Sequence, residues 1–394
     1  MRSHQRIWKT MERKRINLLG ATGSIGTQVQ SVCELHPEIT INGAAAAKDY
    51  KGLARCARKY GIKTACIADE SMYTALKTEL ADTSVTVKAG MEAVCELAAD
   101  TDADMTVNSV VGSAGLLPTE AAIKAKIPVA LANKETLVAG GAYIMGLAKS
   151  NDVPILPIDS EHSAIFQSLM ASNRPKEELK KIILTASGGP FYGRTRAELE
   201  NVTVSQALAH PNWSMGNKIT IDSATMMNKG FELIEACHLF GVTPDKVEIV
   251  IHRQSIVHSA VEFTDNAVIA QMGVPDMTVP IQLAITYPER YPSTAKPLSL
   301  TDIGTLTFAK PDSEVFTPLA AAYRAALCPE NTSGAIINAA NEVLVHRFLS
   351  GEIPFIRILD GVASVLDRIK PRSSLSIENI IEADRETREI TLHE

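Results

Sequence analysis

Between His210 and Ala236 the chain reads H-P-N-W-S-M-G-N-K-I-T-I-D-S-A-T-M-M-N-K-G-F-E-L-I-E-A, which gathers an imidazole, an indole, carboxylates, lysines and several hydroxyl and amide groups. A segment that only builds a core spends its positions on apolar periodicity. This one is composed to hold a small polyanion beside a metal ion. Asp222 and Ser223 precede a predicted helix, and Asn228 and Lys229 open it, so hydroxyl, amide and ammonium donors meet where a helix start favours phosphate. The same helix carries Glu232 and Glu235. Lys229 and Glu232 also have the i, i+3 spacing of an ordinary surface ion pair. His210 lies outside any periodic pattern, and Trp213 and Met215 in that polar loop suit a segment that closes over a ligand. Ser187-Gly188-Gly189-Pro190 follows an apolar strand and offers a hydroxyl and backbone amides to an anion. His252 and His258 sit in strand-like sequence and read as packing groups.

Asp159-Ser160-Glu161 follows another predicted strand, at the end where ligands gather in open α/β sheets. On an extended chain residues i and i+2 face one side, so both carboxylates converge. Oxygen donors suit a hard divalent ion, and a third carboxylate, Glu232 or Glu235, would complete the set. Spacing does not choose between them. Near the other end of the chain, Gly20-Ala21-Thr22-Gly23-Ser24-Ile25-Gly26 joins a strand to a helix, a G-x-x-G-x-x-G variation on the turn that brings backbone N–H groups to a pyrophosphate. The second strand ends in Lys48-Asp49. A lysine there suits a 2′-phosphate and favours NADP, whereas an inward Asp49 would favour NAD.

These groups need a scaffold. From Ile16 short β-rich runs alternate with helical patterns, the signature of parallel βαβ units. Strands are predicted at Ile16–Leu19, Ile39–Ala45, Thr64–Ile67, Met105–Asn108, Pro128–Leu131 and Pro154–Ile158, then at Lys181–Ala186, Val247–Ile251 and Ala267–Met272. The expected organisation is α/β: a Rossmann-like NADPH-binding domain over 12–158, a central α/β catalytic, metal-binding and dimerisation domain over 159–286, an extended linker over 287–312 and an α-helical bundle over 313–394. The linker assignment rests on a proline-rich stretch, Y-P-E-R-Y-P-S-T-A-K-P.

Composition narrows the class. In 394 residues, 45% are hydrophobic and 21% charged, and the net charge of −6 argues against a broad nucleic-acid surface. No apolar run reaches membrane-spanning length. Six scattered cysteines without a Cys-x-x-Cys pair fit a reducing compartment and hence the cytoplasm. Residues 1–10 precede Met11, which reads as a natural start, and are set aside. A cysteine-dependent semialdehyde dehydrogenase would have only Cys237 near the polar segment as nucleophile. A non-catalytic NADP sensor would not need Asp159, Glu161 and Glu232 together.

Several motifs, G-A-T-G-S-I-G, L-A-N-K-E-T-L-V, P-I-D-S-E-H-S-A-I-F-Q, S-G-G-P-F, N-A-A-N-E and above all the H-P-N-W segment, resemble those of the 1-deoxy-D-xylulose-5-phosphate reductoisomerase family over almost the whole chain after Met11. The resemblance implies an enzyme of the non-mevalonate isoprenoid route that rearranges and reduces 1-deoxy-D-xylulose 5-phosphate to 2-C-methyl-D-erythritol 4-phosphate with NADPH and one Mg²⁺ or Mn²⁺. It implies NADPH contacts along the Gly20–Gly26 turn (Gly20, Thr22, Gly23, Ser24, Ile25 and Gly26), with Lys48 and Asp49 near the adenosine phosphate and Asn133 and Glu135 near the nicotinamide. It assigns the metal to Asp159, Glu161 and Glu232. Substrate contacts carry over to Ser160, Lys134, Ser187, His210, Trp213, Met215, Ser223, Asn228 and Lys229, with Lys134 and His210 as catalytic groups. A homodimer with a small phosphorylated sugar as its substrate, and without nucleic-acid or membrane partners, is expected. Two departures stand out: Asp49 where family members often have asparagine, and Arg253 in place of the proline of an I-H-P-Q-S stretch.

Overall fold

The computed structural model describes residues 12–209, 211–213, 215–373 and 375–393. Seven parallel strands form the first sheet: β1 (Lys14–Leu19), β2 (Ile39–Ala46), β3 (Thr64–Ile67), β4 (Thr86–Ala89), β5 (Met105–Asn108), β6 (Val129–Leu131) and β7 (Ile155–Pro157). Their order is β4-β3-β2-β1-β5-β6-β7. Strands covered by helices on both faces need near-continuous apolar sequence, and all four residues of β5 and the last four of β1 are buried. The strand order reverses between β1 and β5. The carboxyl ends of the strands on either side of that point open a crevice, the standard ligand position in such sheets.

A second sheet holds β8 (Leu179–Ala186), β9 (Val247–Ile251), β10 (Val257–Phe263) and β11 (Val268–Met272) in the order β11-β10-β8-β9. In it β10 runs antiparallel to both β8 and β11, while β8 and β9 are parallel. Four longer helices follow at Pro318–Ala326, Ser333–Leu349, Phe355–Arg368 and Ile377–Leu392. One continuous apolar core joins a face of the first sheet, the helix Met227–Phe240 and these last helices. The opposite face of the first sheet is covered by another core that includes Ile281, Ala284 and Ile285 of the helix Thr278–Thr286. Among the described residues no helix is long and apolar enough to cross a membrane.

Four details differ from the sequence expectations. Strand β4, T-V-K-A, has no fully buried residue and lies at the sheet edge, so it leaves no apolar run to detect. Strand β10 stands beyond the predicted strands, although the sequence around His258 already reads as strand-like. Asp159-Ser160-Glu161 is not extended: Asp159 caps the helix Ser160–Leu169 and Glu161 lies in its first turn. Residues 287–312 contain the short helix Leu300–Ile303 and touch the second sheet through an Ile251–Ala309 bridge.

Candidate active site

The turn after β1 is fixed by close packing. Gly20 has φ +82°, and a Cβ there would lie 2.6 Å from the Ser109 carbonyl oxygen. A Cβ on Gly26 would lie 2.2 Å from the Gly20 carbonyl oxygen, so only glycine lets the helix Ser24–Leu35 start this close to the strand. No side chain caps that helix, and Gly23 and Ser24 face solvent. This cradle fits a dinucleotide pyrophosphate. Thr22 and Asp49 both stand against Gly52, which brings the turn beside the end of β2. Asp49 accepts a hydrogen bond from Gly52 N at 2.8 Å and caps the helix Tyr50–Tyr60. Lys48 is largely exposed, with its ammonium 3.7 Å from Asp69.

The loops after β5 and β6 are tied together by Asn133. Its Nδ2 donates to the carbonyls of Val110 (2.6 Å) and Gly112 (2.8 Å), while its Oδ1 accepts from Thr136 N and caps the helix Lys134–Asn151. Glu135 is buried and paired with Lys218 at 2.7 Å. Lys218 also reaches Asp222 at 2.9 Å, and Asp222 accepts from Asn341 Nδ2 at 2.7 Å. A buried charged chain therefore links three parts of the molecule.

Capped this way, the helix Lys134–Asn151 presents Lys134 at its first position. The ammonium donates to Asp159 Oδ2 (2.8 Å), Asn228 Oδ1 (2.9 Å) and Glu232 Oε1 (3.1 Å). Lys229 bonds Glu161 Oε1 at 2.9 Å and the second oxygen of Glu232. Lys229 and Glu232, whose i, i+3 spacing would also suit a surface ion pair, thus form a buried one. Burial opposes charge on Lys134, but Asp159, Glu232 and Glu235 outweigh it and hold its pKa well above normal. Burial likewise opposes ionisation of Asp159, and Lys134 and His162 overcome it, leaving that carboxyl well below its usual range. Glu232 goes the other way, raised by burial and by the like charge of Glu161 against the pull of the two lysines. Carboxylate oxygens of Asp159, Glu161 and Glu232 lie within 4.8 Å of one another. Three hard oxygen donors at that spacing fit Mg²⁺ or Mn²⁺.

A second cluster, Asp159, His162 and Glu235, is equally compact. His162 makes it unsuitable for a metal. Its Nδ1 faces Asp159 Oδ1 (2.8 Å) and its Nε2 faces the Glu232 carbonyl (3.0 Å), so both nitrogens meet acceptors and both carry protons. Although burial opposes the charge, Glu235 and Asp159 raise the imidazole to about 9. Glu235 is left as a buried carboxyl whose Oε2 makes no hydrogen bond, pushed up to about 7 chiefly by burial. His162 was missed in the sequence, although its place three residues after Asp159 on a helix was a usable signal.

Beyond the carboxylates, Gly188 (φ +76°) and Gly189 (φ +65°) turn the chain after β8. A Cβ on Gly189 would sit 2.5 Å from the Ser223 carbonyl oxygen, so this loop packs directly on the helix Asn217–Ala224. Met226, at φ +62°, makes the sharp turn into Met227–Phe240. The loop after Ser187 thus packs on the helix that carries Ser223, while Asn228 and Lys229 bond the carboxylate cluster. Ser160 Oγ donates to Glu161 Oε2 at 2.5 Å. Trp213 is half-buried with its ring 6.1 Å from that of His258, and Met215 is half-buried. His210 lies outside the described residues. Cys237 is buried and burial pushes its thiol up to about 12, which weighs against it as a nucleophile. His252 and His258 are buried, as expected of packing groups.

Residues 16–141 match the family model described as 1-deoxy-D-xylulose 5-phosphate reductoisomerase, 155–240 its C-terminal domain model, and 272–390 the DXP reductoisomerase C-terminal domain. The 1-deoxy-D-xylulose 5-phosphate reductoisomerase of Phocaeicola vulgatus is 47% identical over 381 residues, covering 96% of this chain and 98% of the relative. This chain belongs to that family. The Geobacillus kaustophilus member is also 47% identical, over 95% of this chain and 98% of its own length. Among solved structures, the family enzyme of Zymomonas mobilis in complex with NADPH superimposes with a TM-score of 0.90 at 39% identity, covering 97% and 99% of the two chains. A DOX-P reductoisomerase in complex with NADPH, fosmidomycin and magnesium gives 0.91 at 38% identity, covering 96% and 98%.

Proposed function

We propose that this chain is an NADPH- and divalent-metal-dependent reductoisomerase that converts 1-deoxy-D-xylulose 5-phosphate to 2-C-methyl-D-erythritol 4-phosphate for isoprenoid precursor synthesis. What supports this reading is a three-carboxylate cluster bonded by Lys134, Asn228 and Lys229, in a chain whose first strand ends in a glycine turn that allows close backbone approach. Asp159, Glu161 and Glu232 would hold one Mg²⁺ or Mn²⁺, which when bound supplies Lewis acidity to adjacent substrate oxygens. NADPH would lie along the Gly20–Gly26 turn, with Lys48 toward the 2′-phosphate and Asn133 and Glu135 toward the nicotinamide, and it supplies the hydride.

The chain's own groups bind, orient and move protons. Ser187, Ser223, Asn228 and Lys229 grip the substrate phosphate, and Ser160 contacts the sugar. Lys134, held between Asp159 and Glu232, is the charged group placed to stabilise negative charge on a reacting oxygen and to relay a proton there. Trp213 and Met215 shield the fragments from water. His210 is assigned to the same end of the site on its sequence position. Two copies assemble into a homodimer, and strand β11, at a sheet edge with Val268 and Ile269 exposed, offers a face for it.

The test is NADPH oxidation by metal-stripped protein given 1-deoxy-D-xylulose 5-phosphate, with and without Mg²⁺ or Mn²⁺. Metal-dependent turnover that disappears in Glu232→Ala supports the reading. NADPH binding without turnover would mean that the substrate half is misread.

A further inference from the structure

Arg253 ties the turn before β10 to the glycine loop after β8. It lies in the turn between β9 and β10 and is half-buried. Its Nη1 donates to the carbonyls of Ser187 (2.7 Å) and Gly189 (2.6 Å), spanning the glycine loop. The guanidinium rests 5.2 Å from the centre of the Tyr192 ring. Asn212 Nδ2 donates to the Arg253 carbonyl (2.6 Å) and to Ser255 Oγ (2.8 Å), so the same turn also anchors the loop that leads to Trp213. Among the described residues Arg253 makes no ion pair, so its charge is not cancelled by a carboxylate.

The C=O and N–H of a planar peptide point in opposite directions. With the Ser187 carbonyl held on Arg253, the Gly188 N–H is turned to the other side of the loop. Left-handed glycines allow many backbone settings, and the guanidinium selects one of them. We infer that Arg253 is a positioning residue for substrate phosphate: it fixes the Ser187–Gly189 loop and adds positive potential there, and so governs phosphate affinity rather than the chemical step. This rests on the reading of Ser187, Ser223, Asn228 and Lys229 as the phosphate grip.

The test compares wild type, Arg253→Met and Arg253→Lys in two assays, calorimetric titration of the NADPH-loaded protein with inorganic phosphate and steady-state kinetics with 1-deoxy-D-xylulose 5-phosphate. Losing charge-assisted hydrogen bonds at a rigid loop should weaken phosphate binding about tenfold and raise the substrate KM about as much in R253M, with kcat within about twofold. R253K, with one ammonium for a planar fork, should fall between the two. The KM for NADPH should not move. Equal phosphate affinity in wild type and R253M, or a loss confined to kcat, overturns the inference, as does a wild type that binds no phosphate. If R253M fails to fold, R253K decides, and unchanged phosphate affinity and KM refute the role. Wild type that binds phosphate without turning over would overturn the proposed function alone, and calorimetry would still judge Arg253.

Discussion

Replacing Glu235 by glutamine should make the metal-free protein more stable above neutral pH while leaving metal use intact. Burial moves this carboxyl from 4.5 to about 7 in the folded state. Between those values the folded protein holds a proton that the unfolded chain has released, so stability falls as pH rises through the interval. Once Glu235 is ionised, the accumulated cost is about 3 kcal/mol, from 1.36 kcal/mol for each pH unit. Glutamine mimics the protonated form at every pH and escapes that cost. Urea unfolding of metal-stripped wild type and Glu235→Gln at pH 5, 6, 7 and 8 should give similar stabilities at pH 5 and a widening gap in favour of the variant above 6. His162 adds a second, later decline: its pKa is raised to about 9, so the stability it contributes is full below about 6.5 and is lost as pH rises through 9. Glu235 helps to raise His162, so this later decline should be shallower in the variant. Parallel pH profiles for the two proteins would refute the reasoning, because they would mean that Glu235 titrates as an ordinary carboxylate.

Glu232→Gln should raise the Mg²⁺ concentration for half-maximal activity by about 100-fold or more, against a change within about threefold for Glu235→Gln, because only Glu232 shares the oxygen cluster with Asp159 and Glu161. A metal titration of both variants checks this, and equal shifts would reopen the choice between the two glutamates. Gly26→Ala forces a methyl against the Gly20 carbonyl and should abolish NADPH binding measured by nucleotide fluorescence, with a loss of about 2 kcal/mol or more in stability. Lys48→Ala removes an exposed charge and should lower the preference for NADPH over NADH about tenfold, with the melting temperature unchanged. The ratio of the two KM values reports it.

Much of this was legible because it is local. The glycine turn, the apolar strands β1 and β5 and the donor-rich segment after Ser223 are each spelled out by neighbouring residues. Strand β4 was not legible, since a short edge strand has no buried face to impose a pattern. The carboxylates at 159 and 161 were picked out for a wrong local reason. They converge through a helix cap and its first turn, not through an extended pleat. Spacing left Glu232 and Glu235 open: His162 is local to Asp159, three residues on, but its contact with the helix that carries both glutamates joins elements far apart in sequence. Burial of the Lys229–Glu232 pair was hidden for the same reason: i, i+3 spacing is identical on a wet helix face and on a dry one.

The charged chain Glu135–Lys218–Asp222–Asn341 has a consequence for how the enzyme comes into being. During synthesis the helix carrying Glu135 leaves the ribosome well before Asn341 does. Until the helix Ser333–Leu349 docks, Asp222 lacks its buried amide, and the element carrying Ser223 lacks that support. The element carrying Ser223 therefore waits on a helix made long after it. A chain ended before Ser333 should show no rise in melting temperature on adding Mg²⁺, even where its nucleotide half is folded.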